Sequence, residues 1–509
     1  MHEFFASAPK GVSALLAEEL KALGAQSPVE SAGGVHFRGT LETAYRALLW
    51  SRTASRILLI VGKFPAFDSD SLYEGVKSVN WADHMSKAST MAVDAVTMET
   101  SISNSHFAAL RVKDAVCDQF RDKFRVRPTV ELIRPRVRLN LYLSQDQGVM
   151  SIDLAGEGLH KRGYREEGGE APLKENLAAA ILMALGWPGL AAEGASLVDP
   201  MAGSGTFLVE GALMATDTAP GLLREYYAAF GWKGHDQGLW DMLRAEALER
   251  ASKGRERLGP MVGCDISPRA ARSASGNIIR AGFADLIRVR ARDFSELRPP
   301  ENPRSDKGLL VVNPPYGERM GEESELASLH ARLGELLRAH FPGFSAGVFT
   351  GNPTLGRFLG ITAHKQEDLY NGPIPCKLLH LKIAEANFFE PPAPETFVPR
   401  VREPEAEFRP RRDFSGEPER DRRDDHRPGR VRETGDTPYR PRRDFGDKKP
   451  WEKKSFGPPR EGDDRGRDRD SSAPRRDFGD KKPWEKKSFG PPREGDDRGR
   501  DRDSSAPRR

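Results

Sequence analysis

Apolar residues recur at helix and strand spacings through the first 160 residues of the chain. In residues 1–62, FFASAP and GGVHFRG alternate as short strands do, while VSALLAEELKALG has helical spacing up to Gly24, a residue type that often ends a helix. LETAYRALLWSRTASRILL predicts a second amphipathic helix that runs into a strand. Residues 1–62 are therefore predicted to form a small α/β unit.

Residues 63–160 continue this mixed pattern. SLYEGVKSVNW and HFAALRVKDAVCDQFRDKF predict helices, and the apolar side of the second is Leu110, Val112, Val116, Cys117 and Phe120. TMAVDAVTM alternates with period two, as a half-buried strand does, and VRLNLYLSQ and GVMSIDLAG predict a pair of strands. The pattern indicates an α+β domain with antiparallel pairing.

The pattern changes near residue 165 to apolar runs that alternate with helical segments. The predicted buried strands are Ser196–Asp199, Met261–Asp265, Ile287–Ala291, 308–313, Ser345–Thr350 and 376–383. Strands that alternate with helices are typical of a parallel sheet covered on both sides. We therefore predict a doubly wound, Rossmann-like α/β domain over residues 161–388.

Charge separates the last part of the chain from the rest. Residues 401–509 carry 33 Lys and Arg and 27 Asp and Glu, so more than half of them are charged. A 33-residue segment, 441–473, recurs identically as 474–506 and has no aliphatic positions from which a core could form. Such a segment cannot bury enough apolar surface to offset the entropy of ordering, so residues 389–509 are expected to be disordered.

Composition also limits the compartment and the class of protein. The three cysteines, Cys117, Cys264 and Cys376, form no CxxC pair, so neither a zinc knuckle nor a disulfide framework is predicted. The N-terminus has no basic segment followed by an apolar one, and the longest uncharged stretch, 177–192, is too short to cross a bilayer. We expect a soluble, cytoplasmic protein that uses no metal and enters no membrane.

A glycine-rich turn follows the first strand of the predicted parallel sheet. In LVDPMAGSGTFLVEGAL, the strand ends at Asp199 and a helix begins near Thr206, with Gly203, Ser204 and Gly205 between them. Glycine lets the backbone approach a ligand closely, which makes this loop a candidate binding site. A plain tight turn is the alternative reading of the loop alone.

Carboxylates follow the next two strands. Asp265, at the end of VGCDI, can accept both hydroxyl groups of a ribose, and Asp293, after IRVRARDF, can meet an adenine amino group. Ligands bind at the carboxyl ends of the strands in such sheets, so these groups are expected to converge. A surface acid or a helix cap is the alternative for Asp265, because Ser267 and Pro268 resemble a helix start.

The fourth strand ends in the most informative segment, Asn313, Pro314, Pro315 and Tyr316. Two prolines fix the backbone and remove two N–H donors, so their carbonyl oxygens join the side chain of Asn313 as acceptors. Tyr316 adds an aromatic face. The segment predicts a flat ligand rich in donors, such as an amide or the amino group of a base; a proline-rich turn is the alternative.

These motifs resemble those of the class I methyltransferases that use S-adenosylmethionine (SAM) and modify amino nitrogens. DPMAGSGT, the Asp265 strand end and NPPY carry that resemblance, while GEGLHKRGYR, with the α+β region before it, resembles the THUMP-domain RNA methyltransferases. The match runs from FFASAPKG through LLWSRTASRI to NGPIPCK, over residues 1–385. The chain is most similar to the bacterial 23S ribosomal RNA guanine-N2 methyltransferases.

The resemblance implies an organisation, a cofactor and a partner. Residues 1–62 would be a ferredoxin-like subdomain, 63–160 a THUMP RNA-binding domain and 161–388 the SAM-dependent domain. The glycine loop would hold the methionine part of SAM, Asp265 its ribose and Asp293 its adenine, while 313–316 would hold the target base. The partner would be 23S ribosomal RNA as an assembly intermediate. The implied SAM-binding residues are Asp199, Gly203, Ser204, Gly205, Thr206, Asp265, Asp293 and Asn313.

The chain departs from these relatives in several places. Ala202 stands where relatives often have cysteine, and an insertion, 217–258, lies between the first two strands of the predicted parallel sheet. Known relatives are fused to a second methyltransferase domain that makes 7-methylguanine. The charged tail stands in its place here, so that second activity is expected to be absent.

Two basic segments are candidate RNA contacts. Lys161, Arg162, Tyr164 and Arg165 combine charge with an aromatic ring next to the catalytic domain, and a hinge packed between domains is the alternative. A second basic face, for which a solvated edge is equally compatible, would consist of Arg134, Arg136 and Arg138 alternating on a strand.

Together the motifs predict SAM-dependent methylation of a guanine N2 amine in 23S ribosomal RNA. NPPY also occurs in enzymes that act on protein glutamine or DNA adenine, and tRNA is another possible substrate; the α+β region before the catalytic part favours RNA. An inactive RNA-binding assembly factor is a third possibility, which the complete motif set argues against. Carbon methylation through Cys376 is disfavoured, because the fourth-strand motif has Asn rather than Cys.

Overall fold

The structure is a computed structural model that describes residues 1–31, 33–165, 173–255, 259–301, 303–315 and 323–396. Tyr316 and most of the predicted disordered tail lie outside the described residues. The described part forms a single unit that contains two β-sheets.

The first 153 residues supply the strands of the first sheet. They are β1 (His2–Ser7), β2 (Gln26–Ser31), β3 (Gly34–Gly39), β4 (Arg56–Pro65), β5 (Thr90–Met98), β6 (Thr129–Val130), β7 (Val137–Ser144) and β8 (Gln147–Asp153). Their order across the sheet is β2-β3-β1-β4-β8-β7-β5-β6. The predicted pair β7 and β8 is antiparallel, but β5 runs parallel to both β6 and β7, so the prediction of antiparallel pairing is wrong at this edge.

Helices α1 (Ser13–Ala22), α2 (Leu41–Trp50), α3 (Ser69–Ser78) and α4 (Ser105–Phe124) pack against this sheet. Gly24 follows α1 with φ of +90° and donates its N–H to the carbonyl of Lys21 at 3.1 Å, which ends the helix where the sequence predicted. On α4, Leu110 is exposed while the other four predicted core residues are buried.

Strand β4 is shared by the two halves of the first sheet. Its residues Arg56 to Leu59 pair with β1, and Leu58 to Pro65 pair with β8. The boundary predicted between residues 62 and 63 therefore falls inside a continuous strand. The ferredoxin-like and THUMP halves form one hydrogen-bonded sheet, and we call them together the N-terminal module.

The second sheet contains β9 (Ser196–Asp199), β10 (Met261–Asp265), β11 (Ile287–Ala291), β12 (Gly308–Val312), β13 (Ser345–Thr350), β14 (Ala363–Asn371) and β15 (Ile374–Lys382). Their order is β11-β10-β9-β12-β13-β15-β14. The helices of this part are α5 (Glu175–Ala184), α6 (Trp187–Ala192), α7 (Thr206–Ala215), α8 (Gln237–Gly254), α9 (Pro268–Arg280) and α10 (Glu323–His340).

The predicted doubly wound α/β architecture is confirmed, with one correction. Strands β9 to β13 pair in parallel, and Leu197 and Val198 are buried in core clusters on opposite faces of the sheet. However, β15 pairs antiparallel with β13, and the sequence did not predict β14. The turn between β14 and β15, with Gly372 at φ of +62°, joins the two into a hairpin, so the sheet is not wholly parallel.

The insertion between β9 and β10 packs on the N-terminal module. Trp240 lies edge-on to Tyr45 with ring centroids 5.4 Å apart, and the Tyr45 hydroxyl is hydrogen-bonded to Nδ1 of His235 at 2.5 Å. Arg46 on α2 donates two hydrogen bonds of 2.9 Å to Glu246 on α8. The insertion therefore joins the catalytic part to the N-terminal module.

Part of the predicted tail belongs to the described structure. The N–H of Phe389 donates to the carbonyl of Gly360 at 3.1 Å, and a short helical turn, Pro394–Thr396, follows it. Residues 389–396 were predicted to be disordered, and that start is too early because this backbone pairs with the 360–361 segment. Among the described residues, no helix has the length and apolar character needed to cross a membrane.

Candidate active site

The glycine loop lies at the carboxyl end of β9. Asp199 is buried there, and its Oδ1 accepts the N–H of Met201 at 3.2 Å. Gly203 and Gly205 have φ of +53° and +76°, which explains why this turn needs glycine. A Cβ at Gly203 would enter open space, so the loop backbone is free to face a ligand. Thr206 is the first residue of α7, as predicted.

Asp265 lies at the end of the neighbouring strand β10 and touches the same loop. Its Oδ2 accepts the N–H of Gly203 at 2.8 Å, and its Oδ1 accepts the N–H of Ser267 at 2.9 Å. The cap of α9 is Ser267 rather than Asp265, and the role of Asp265 at a ribose stays a prediction. Each carboxylate oxygen has a second lone pair, which leaves acceptor capacity for hydroxyl groups.

Asp293 lies two residues beyond β11 and has protein partners already. Its Oδ1 accepts the N–H of Ser295 at 2.9 Å and forms an ion pair of 2.8 Å with Arg332. Burial opposes ionisation, but these hydrogen bonds prevail and lower the pKa of Asp293. Because Asp265 on β10 is level with Ala291 on β11, Asp293 lies on the same edge of the sheet as Asp265. Its role at an adenine ring stays a prediction.

Asn313 follows the last residue of β12, next to β9 in the sheet. Its side-chain Oδ1 is buried, and no donor among the described residues reaches it. A buried acceptor without a partner costs free energy unless a ligand supplies the donor. Pro314 is buried and Pro315 is exposed, while the predicted role of Tyr316 falls outside the described residues.

A cleft of about 1660 Å³ connects these elements. Both ends of the predicted site line it: the glycine loop on one side and Asn313 on the other. Asp265 adjoins this lining through its bond to Gly203. The predicted residues that the cleft brings together are Asp199, Gly203, Ser204, Thr206 and Asn313.

The electrostatics of Asp199 are unusual. Burial raises the pKa of its carboxyl to about 8; the nearby charge of Asp265 raises it further, while the N–H of Met201 opposes the shift. A carboxyl in this state is mostly protonated at neutral pH, and a cation placed beside it would favour its ionisation.

Two of the four predicted RNA contacts at residues 161–165 are wrong. Arg162 and Tyr164 are 2% and 1% exposed, and both bind the buried carboxylate of Glu210 on α7. Arg162 also donates to the backbone carbonyls of Leu159 and Arg52. These side chains have no surface to offer RNA, because they hold the N-terminal module against the catalytic part.

The other two predicted RNA contacts line the cleft. Lys161 is exposed at its rim. Arg165 is half-buried, forms an ion pair of 2.9 Å with Glu175, and donates a 2.6 Å hydrogen bond to the Thr206 hydroxyl. Arg165 thus fixes the start of α7, and Lys161 is the better placed of the two for a phosphate.

The structure adds residues that the sequence analysis did not single out. Ile266 directly follows Asp265 and is 74% exposed, which offers an apolar surface for a flat ring beside the glycine loop. Its signal in the sequence is an apolar residue just past the last carboxylate of a buried strand. Lys174, Arg224 and Tyr226 also line the cleft, and only their position in the fold identifies them.

The predicted basic face at residues 134–138 divides into separate contacts. Arg138 lies within β7 and pairs with Asp94 at 2.7 Å, whereas Arg134 and Arg136 precede the strand. Arg134 pairs with Glu157 at 3.2 Å and lines the cleft.

The described residues contain no group of three or more His, Cys, Asp or Glu side chains able to hold a metal ion. Cys376 is buried within β15 and belongs to the core, as its position in an apolar strand predicted.

Three family models match successive parts of the chain. The RlmL ferredoxin-like domain matches residues 3–58, the THUMP domain residues 66–153, and the RMKL-like methyltransferase domain residues 162–380. The third match spans the glycine loop, Asp265 and Asn313.

Curated relatives carry the same domains in longer chains. Ribosomal RNA large subunit methyltransferase K/L of Syntrophotalea carbinolica is 51% identical over 393 residues, which cover 77% of this chain and 55% of the relative. The protein of that name from Methylococcus capsulatus is 48% identical, with 77% and 53% covered. The chain thus spans about half the length of these relatives.

Solved structures share the fold over nearly their whole length. SMU.472, solved in complex with S-adenosylhomocysteine (SAH), has a TM-score of 0.67 at 29% identity and covers 75% of this chain and 98% of its own. A predicted N6-adenine-specific DNA methylase from Listeria monocytogenes has a TM-score of 0.66 at 30% identity, with 74% and 95% covered.

One cleft brings together the glycine loop after β9 and the Asn-Pro-Pro segment after β12. This arrangement on a doubly wound sheet defines the class of the protein, a Rossmann-like methyltransferase. The modules that precede it then specify the family. The chain belongs to the RlmL-related family in which a ferredoxin-like domain and a THUMP domain precede an RMKL-like methyltransferase domain.

Proposed function

We propose that this chain transfers a methyl group from SAM to the exocyclic N2 amine of a guanine in 23S ribosomal RNA. The observation that carries the proposal is the buried Oδ1 of Asn313, which has no hydrogen-bond partner among the described residues and lies in the cleft that the glycine loop also lines. The large-subunit name of the curated relatives and the THUMP match support ribosomal RNA as the substrate class.

The residues present fit SAM. Asp199 is a buried acid that a cationic amino group would ionise, and Asp265 keeps free acceptor capacity for the ribose hydroxyls. Gly203 leaves open space above the loop, and Ile266 offers an apolar surface for the adenine. The bound cofactor supplies an electrophilic methyl group on a positively charged sulfur.

The protein must activate a weak nucleophile, the exocyclic amine of guanine. The lone pair of a guanine amine is delocalised into the ring, so the amine must be held by acceptors that localise the lone pair on nitrogen. Asn313 Oδ1 and the carbonyl of Pro314 would accept the two hydrogens of the amine. Positioning supplies most of the rate, about 7–11 kcal/mol in well-oriented systems. The methylated nitrogen is acidic enough to lose its proton to water, so no strong general base is required.

Asp199 makes SAM binding depend on pH. In the free protein its carboxyl, with pKa about 8, must lose a proton before it can pair with the ammonium of SAM. We expect affinity measured by titration calorimetry to rise roughly tenfold between about pH 6.5 and about pH 8, with proton release at the lower pH. Asp199→Asn should bind more weakly and show no such rise. An identical pH profile in the variant would contradict this role.

The raised pKa of Asp199 also makes the stability of the folded protein depend on pH. The pKa of Asp199 is higher in the folded protein than in the unfolded chain, so the folded state binds the proton more tightly. Its contribution to the free energy of unfolding is complete below about pH 4 and is lost as the pH rises to about 8.

Nucleoside analysis tests the proposed reaction. Ribosomal RNA from cells with and without the gene would be digested and compared by mass spectrometry, and loss of N2-methylguanosine at one site is the expected result. Purified protein should restore that methyl group to the unmodified RNA. Unchanged ribosomal RNA together with altered tRNA, protein or DNA methylation would overturn the proposal.

One comparison favours a second candidate, adenine N6 methylation of DNA. The Listeria monocytogenes structure carries that description at 30% identity. An Asn-Pro-Pro site accepts the hydrogens of an adenine amine as readily as those of guanine, so the same preparation should be assayed on duplex DNA. Transfer to DNA at a rate above that on RNA would favour this candidate.

A further inference from the structure

Residues 131–135 of the N-terminal module form a tip with two of the most exposed large apolar side chains among the described residues. Ile133 is 82% exposed and Leu132 is 73% exposed. They stand next to each other between β6 and β7, beyond the end of the sheet core. Two adjacent apolar side chains this exposed contribute little to the core and mark a candidate contact surface.

The tip is held firmly at both ends. The N–H of Glu131 donates to the carbonyl of Met91 at 3.0 Å, and the N–H of Arg136 donates to the Thr90 hydroxyl at 3.0 Å. Arg138 donates from its guanidinium to the carbonyl of Leu132 at 2.9 Å. A loop with this many anchors presents its apolar side chains in a fixed direction.

The insertion connects the tip to the catalytic cleft. The hydroxyl of Tyr226 donates to the carbonyl of Pro135 at 2.9 Å, and the Arg134 guanidinium lies 5.3 Å from the centre of the Tyr226 ring. Arg134 and Tyr226 both line the cleft that also contains Asn313. Leu132 and Ile133 therefore stand within two residues of the cleft lining.

The surroundings of the tip favour a polyanion over an apolar protein surface. Arg134 lies in it and Arg136 follows it; Glu131 and Glu157, the ion-pair partner of Arg134, are the opposing charges, and Lys161 and Lys174 are exposed at the rim of the cleft. A strand of RNA lying across these cations would bring its bases to the two apolar side chains.

We propose that Leu132 and Ile133 form a wedge that enters the RNA base stack and takes the place of the target base while that base occupies the cleft. The inference rests on the proposed function, because a base methylated at Asn313 must leave its stack. Apolar side chains of this type are suited to filling a gap between bases. Leu132 and Ile133 would replace the contacts that the neighbouring bases lose when the target base leaves the stack.

Paired and unpaired forms of one substrate test the wedge. The RNA segment that carries the guanine identified by nucleoside mapping would be prepared as a hairpin and as a single strand without its complement. Leu132→Ala with Ile133→Ala should lower kcat/KM on the hairpin about tenfold or more, since an apolar wedge offsets part of the cost of unstacking a base. The same variant should act on the single strand within about twofold of the wild type.

Two further variants separate the wedge from general effects. Leu132→Met with Ile133→Met keeps apolar bulk and should retain activity on the hairpin. Ile279→Ala removes an apolar side chain that is 63% exposed on α9 and should leave both rates unchanged. Melting temperatures of all variants are expected to match the wild type, because every substituted side chain is exposed.

The other possible results of these measurements contradict the wedge. Equal loss on hairpin and single strand, or loss on neither, overturns the wedge while the proposed function stands. Normal rates on both RNAs with loss only on ribosomal particles would mean that the tip contacts a protein, which also overturns it. Because nucleoside mapping tests the proposed function separately, a wild type that methylates neither RNA overturns the wedge, which requires the isolated hairpin to be a substrate.

Discussion

Asn313→Ala is expected to lose methyl transfer while SAM affinity stays within several-fold of the wild type. The side-chain oxygen is buried in the cleft without a donor among the described residues, so its contribution is realised only when an amine is present. Removing one oriented polar group from such a site lowers kcat by about 10²–10³-fold. Single-turnover rates with radiolabelled SAM would measure the loss, and calorimetry would measure the affinity.

Two further variants test whether the loss of activity is specific to the side-chain oxygen of Asn313. Asn313→Asp keeps acceptor oxygens at the same place and should retain more activity than the alanine variant. Asn140→Ala, on β7 of the N-terminal module, should behave as the wild type in both measurements. Full activity in Asn313→Ala would exclude the role assigned to this residue.

Glu210→Ala is expected to reduce the free energy of unfolding by about 3–5 kcal/mol, because it leaves the guanidinium of Arg162 buried without its carboxylate. Both side chains are almost wholly inaccessible to water, with N–O distances of 3.3 and 3.4 Å between them. The hydroxyl of Tyr164 would lose its acceptor in the same step. Urea unfolding followed by circular dichroism is the measurement.

An exposed pair in the same protein provides the control. Glu249→Ala breaks the ion pair with Lys253 on α8, whose side chains are 67% and 71% exposed, and a pair so exposed contributes little to stability. Arg162→Met with Glu210→Leu should recover much of the loss, since no charge is left unpaired. A cost for Glu210→Ala no larger than that for Glu249→Ala would show that the buried pair is not needed.

The sequence predicted the central strands well because burial on both faces leaves an uninterrupted apolar run. The bounds of β9, β10 and β13 agree to the residue, and β12 ends one residue before the predicted end. The outermost strand β11 also agrees, because its sequence IRVRA keeps the alternation of a strand. In contrast, β2 (QSPVES) and β14 (AHKQEDLYN) were missed. Both are the outermost strands of their sheets, where polar side chains face water and the alternation that marks a strand is lost.

Some residues of the candidate site could likewise be predicted from the sequence, and others could not. Residues at strand ends, such as Asp199 and Asn313, could be identified from sequence because the topology of a parallel sheet brings them together. Arg162 and Tyr164 could not, because charged and phenolic side chains are normally assigned to the surface. Their acceptor, Glu210, is more than 40 residues away in the chain, and no local pattern links it to them.

Because β4 is continuous, it fixes the orientation of the two halves of the N-terminal module toward the proposed RNA substrate. Rotating the ferredoxin-like half against the THUMP half would break the ladder that Arg56 to Pro65 form with β1 and β8. An RNA that contacts both halves would therefore meet them at a fixed angle, and bending between those two contacts would have to occur in the RNA.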